Sequence, residues 1–191
     1  MSLVRWALSI LAFPIGGWIA IQLVGSVNSP FTAASAGAIA GAVIGAAQAL
    51  ALARNFRWRW LAGSVVGMAA GSAAAAALTS AATTVAALAI SGLIAGLIVG
   101  AVQGIAARWG WRVILVWVST VGLAWSAGWV ITANVITDNV ERGFITFGLS
   151  GAALVTVVTA LVLRGILGPI TKPVADATHV AVAEPVVEAS R

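Results

Sequence analysis

Gln48 and Gln103 lie deep in apolar runs, each eleven residues after the first glycine of a series spaced by four, and Thr159 holds the same place after Gly148. A polar group at such a place can hydrogen-bond to a neighbouring helix, or, in a ring around an axis, line a path for a small solute. Hydroxyls are plentiful nearby (Ser91, Ser119, Thr120, Ser126), but activating one as a nucleophile takes an adjacent base, and no His or Lys falls within an apolar run. The one histidine, His179, and the one lysine, Lys172, stand in the C-terminal segment. That leaves no membrane-buried imidazole for haem or chlorophyll and no lysine for a retinal Schiff base. Asp176 with His179 falls short of the four ligands of a structural zinc site. Asp138 and Glu141, beside Arg142, read as a local ion pair on a solvated loop. The reading is a protein with no catalytic residues, no metal and no cofactor. A lipid or pigment held without histidine stays open, because Trp18 and Trp125 can stack on an apolar ligand as well as fill gaps.

The elements that position these residues follow from composition. Of 191 residues 61% are hydrophobic and 8% charged, against about 25% charged in soluble domains. A crossing of a hydrocarbon core takes roughly 20 apolar residues, and six such runs fit: 6–26, 31–53, 60–82, 85–107, 113–135 and 144–163. The expectation is an all-α membrane protein of six transmembrane helices, residues 1–167, followed by a proline-containing tail, 168–191. The N-terminal run behind Arg5 has the outline of a secretory signal and is read as the first crossing. The chain has no cysteine, which removes disulfides and thiolate sites.

With six crossings, Arg5, Arg54, Arg57, Arg59, Arg108, Arg112, Arg164 and Lys172 share one side and Arg142 the other. The lysine and arginine bias then places both termini in the cytoplasm, and the location expected is the inner (cytoplasmic) membrane of the cell. Trp6, Trp58, Trp60, Trp109 and Trp111 sit among these arginines and are expected to anchor at headgroup level with them. That belt accounts for the net charge of +5 without nucleic acid.

The chain also repeats itself. Gly37, Gly41, Gly45 and Gln48 match Gly92, Gly96, Gly100 and Gln103 at an offset of 55, and each set runs into arginine and tryptophan. A worn third copy runs from Gly148 through Thr159 to Arg164. Arg5, Arg59 and Arg112 open the intervening helices, giving two-helix repeats of about 5–54, 59–108 and 112–164 in a pseudo-three-fold bundle. At 100° per residue Gly92, Gly96, Gly100 and Gly104 form one stripe with Gln103 beside it, a surface where backbones approach closely and an amide pins register. The small-residue run GMAAGSAAAAA, 67–77, offers another helix a second such surface.

The tandem order of glycine zipper, glutamine, arginine with tryptophan, then a tryptophan-bearing helix resembles a group of small multi-pass bacterial membrane proteins of uncharacterised function built from this two-helix repeat. The resemblance covers residues 5–164. It implies the fold and the membrane location, not an activity. Six crossings in so short a chain also loosely resemble vitamin-uptake substrate-binding subunits. The function expected is that of a non-enzymatic accessory or structural subunit, associating through glycine-rich helix faces with other integral membrane subunits or with itself, in contact with membrane lipids. The alternative is a small-solute channel or substrate-binding transporter subunit using Gln48, Gln103 and Thr159. The alternation around Val180 suits an extended arm docked on a partner.

Overall fold

The computed structural model describes residues 1–135 and 145–167. Asp138, Glu141, Arg142 and the tail with Lys172, Asp176 and His179 lie outside them. Among the described residues six spans are long and apolar enough to cross a membrane, and they mark a multi-pass membrane protein.

The first span, Leu3–Val24, is not one continuous helix. α1 (Leu3–Leu8) passes through a 3-10 turn (Ser9–Leu11) into α2 (Ala12–Val24). Pro14 has no N–H to give to a carbonyl one turn back, and the Ser9 hydroxyl donates to the Trp6 carbonyl at 2.6 Å. Five unbroken helices follow: α3 (Pro30–Ala49), α4 (Arg57–Thr79), α5 (Val85–Ala106), α6 (Trp111–Val135) and α7 (Leu149–Leu167).

Local chemistry sets their ends. Before α3, Ser29 and Thr32 form a reciprocal capping box with Pro30 at the first turn. The Thr84 hydroxyl accepts from the Ala87 amide to start α5. Between α4 and α5 the apolar runs 60–82 and 85–107 leave only residues 83 and 84 for the connection. Here α4 stops at Thr79, because Ser80 and Ala81 turn into the left-handed region with φ of 53° and 52°, and the Ala81 amide bonds back to the Ala76 carbonyl. The last span begins at Leu149 rather than at residue 144, so Gly148 precedes the helix and does not lie on its face.

Each helix packs on the next in the chain, and the first span also packs on α7, so the helices form a closed ring. The closing seam is held by named contacts. The Trp6 indole N–H donates to the Thr156 carbonyl at 3.3 Å, and the Thr146 hydroxyl donates to the Phe13 carbonyl at 2.9 Å. Phe13 stacks on Phe147 with centroids 5.2 Å apart.

The glycine rows face neighbours within this ring. A Cβ built on Gly41 would lie 2.7 Å from the Ser64 carbonyl oxygen, and one on Gly96 2.7 Å from that of Val121. Such distances are below van der Waals contact, so no side chain fits without moving backbone. Gly37 and Gly45 likewise face α4, and Gly92, Gly100 and Gly104 face α6. In α7 a close approach is made by Gly151 against Gly128.

Candidate functional site

The residues singled out for chemistry meet on the ring axis. Gln48, Gln103 and Thr159 all line one cavity of about 20 Å³ together with Ser64, space for about one water molecule. All three are at least nine-tenths buried.

Both amides are engaged with other side chains. The Gln48 Oε1 accepts the Trp60 indole N–H at 3.0 Å, and the Gln103 Oε1 accepts that of Trp117 at 3.0 Å. Gln103 Nε2 in turn donates to the Ser64 hydroxyl at 2.9 Å, so one side chain on α5 ties α4 and α6 together. Thr159 turns its hydroxyl to the Val155 carbonyl of its own helix at 2.6 Å. The third indole, Trp6, reaches α7 one turn away, at the Thr156 carbonyl.

The three indoles pack edge-on and tilted into a plug. Trp60 packs 5.8 Å from Trp6 and 5.7 Å from Trp117, and Phe56 and Trp109 extend the cluster at 5.9 Å and 5.8 Å from Trp60 and Trp117 respectively. A second cluster fills the axis beyond the cavity, where Trp125 and Trp129 stand edge-on to Phe147 at 5.4 Å and 5.9 Å. Beyond it, at the opposite end of the bundle, a recess of about 60 Å³ is bordered by Ser72, Thr79, Ser91, Trp125 and Trp129.

This geometry corrects several expectations. Trp6 and Trp60 do not anchor at the surface: they are 0% and 1% exposed and belong to the axis. Neighbours on a helix point 100° apart, so where Arg5 and Arg59 face outward, Trp6 and Trp60 turn inward. Trp58 and Trp111, at 79% and 67% exposure, do lie on the surface, and the Arg112 guanidinium sits 5.3 Å over the Trp111 ring. Trp109 is half-buried, while Arg54, Arg108 and Arg164 are exposed. Trp18 and Trp125, placed in equivalent positions by sequence, diverge: Trp18 is 61% exposed and Trp125 6%.

Two participants escaped the sequence reading. Trp117 lies five residues after Arg112 instead of next to it, and Ser64 looked like one more small residue. The available signal was that each glutamine is followed, across the helix connection, by a tryptophan twelve or fourteen residues on.

No known protein family, curated protein or solved structure matches this chain.

Proposed function

We propose that this protein is a non-enzymatic membrane subunit that associates with other integral membrane subunits through its outer surface. The observation that carries the reading is the outward face of α4. There Ala62, Ala70 and Ala77 are exposed and fall within about 80° of one another on the helix, with Val66 the one branched side chain among them. Exposed positions on α1, α6 and α7 carry bulk, such as Leu8, Leu115, Leu123 and Leu161, and only α3, with Ala42 and Ala46, is comparably small among its exposed mid-helix positions. Lipid is no worse a solvent for leucine than protein is, so small outward side chains are best accounted for by a second helix coming close. The glycine rows of α3 and α5 are covered by α4 and α6, so this surface takes the partner role that sequence gave to the glycines.

The axis supports the same reading over a conducting one. The polar ring is bonded to indoles, and aromatic clusters stand on both sides of it. A small-solute function has one observation in its favour, the recess bordered by Ser72, Thr79 and Ser91, and it would be one of binding at that end.

Within the proposal the ring is three two-helix units about a pseudo-three-fold axis. What supports this is that each inward indole donates to the helix before it in the ring: Trp60 to α3, Trp117 to α5 and Trp6 to α7. The clustering of the arginines supports a cytoplasmic side for both termini, and the tail is read as an arm that helps specify assembly.

The test is photo-crosslinking in cells with a benzophenone amino acid at Ala70 or at Leu123. A discrete adduct with another polypeptide from position 70, absent from position 123, is expected. Lipid-only adducts from both would refute the reading.

A further inference from the structure

A concave groove of about 450 Å³ opens at the arginine end of the bundle, between the start of the first span, the link after α3 and the end of α7. Its lining is mixed. Arg5, Ser2 and Asn55 supply donors, and Phe56, Leu167 and Met1 supply apolar wall. The volume lies in the range of sites that hold a drug-sized molecule.

Charge points to the occupant. Among the described residues every charged side chain is an arginine: Arg5, Arg54, Arg57, Arg59, Arg108, Arg112 and Arg164. All five carboxylates of the chain, at 138, 141, 176, 184 and 188, lie outside those residues. Arg5 gives one N–H to the Leu50 carbonyl at 3.3 Å. That bond, to an uncharged backbone carbonyl, holds the guanidinium at the groove without neutralising it. Arg54, between the lining residues Ala53 and Asn55, is exposed.

Depth points the same way. The exposed indoles of Trp58 and Trp111 lie at this end, where tryptophan marks the headgroup level. Three residues beyond Arg5 on the same helix face, Leu8 is 62% exposed on the outer surface of the first span. A phosphate at Arg5 with an acyl chain along Leu8 would match both the polar and the apolar parts of the surface.

We propose that this groove binds the phosphate headgroup of an anionic phospholipid, with Arg5 as the phosphate ligand. The test is native mass spectrometry of the full chain, released from an equimolar mixture of phosphatidylglycerol and phosphatidylcholine. One retained phosphatidylglycerol per chain, favoured about five-fold over phosphatidylcholine, is the expected result for one basic residue at an anionic surface. Arg5→Gln should abolish the preference. Ala53→Trp, an exposed lining position, should fill the groove and abolish it while leaving the melting temperature unchanged. Arg112→Gln, in the first turn of α6, should keep it. Preference retained by Ala53→Trp, or lost equally in Arg112→Gln, would overturn the proposal in favour of diffuse attraction to the whole belt. So would a wild-type chain that takes no phosphatidylglycerol until Asp176, Glu184 and Glu188 are changed to their amides, which would make the chain's own tail the occupant.

Discussion

The two buried glutamines do unequal work. Gln103 makes two side-chain bonds, to Ser64 and Trp117, and Gln48 one, from Trp60. Within a membrane such bonds average about 0.6 kcal/mol, with a maximum near 1.7, whereas leaving a buried partner unpaired costs about 1–3 kcal/mol. Gln103→Leu should therefore destabilise more than Gln48→Leu, because it strands both a hydroxyl and an indole. In a double-mutant cycle, Gln103→Leu and Trp117→Phe should couple by about 1 kcal/mol, read from unfolding in mixed detergent. Strict additivity would mean that the bond contributes nothing. That a glutamine shares the glycine face was legible from its spacing. Its partner was not, since Trp60 and Trp117 lie on the next helix and their direction depends on how that helix is rotated.

At the scale of elements, the glycine rows decide which helices touch. The atoms facing Gly96 are backbone, the Val121 carbonyl and the Gly122 Cα, so a side chain there cannot be relieved by a rotamer change. Gly96→Leu and Gly41→Leu should abolish the folded bundle or cut its yield severely, while Ala86→Leu, at an exposed position near the start of α5, should be tolerated. Detergent gel filtration reads the difference, and a normal profile for Gly96→Leu would place the stripe on lipid. Element existence was plain from sequence, because runs of about 20 apolar residues have one stable form in a bilayer. Ends were harder. The left-handed turn at Ser80 and Ala81 uses neither glycine nor asparagine, and the break before α2 shows itself only through Pro14. The glycine face itself was readable at 100° per residue, yet not the helix that it meets. Covered by the next helix of the same chain, it is unavailable to another subunit.

For the whole molecule, hydropathy and charge carry most of the information, and they act at the ends of helices and on the outer surface. The links after α3 and α5 come together at one end, where Phe56 stacks on Trp109 at 6.1 Å, and the arginines cluster there. A reporter inserted after Asn55 should be cytoplasmic and one after Asp138 outside. Both on one side would contradict six crossings. The interior was less legible, since tryptophan beside arginine is equally at home in a headgroup layer and in an axial plug. Only packing distinguishes Trp58 from Trp60. With a closed axis and small residues turned outward on α4, the central claim is that this chain works in company. The most direct measurement is the mass of the particle extracted in the mildest detergent that releases it. A particle well above the 19.2 kDa chain plus its detergent, with another membrane polypeptide in fixed ratio that Ala70→Leu removes, is the predicted result. A monodisperse single chain, unchanged by Ala70→Leu and passing a small solute once in liposomes, would contradict it.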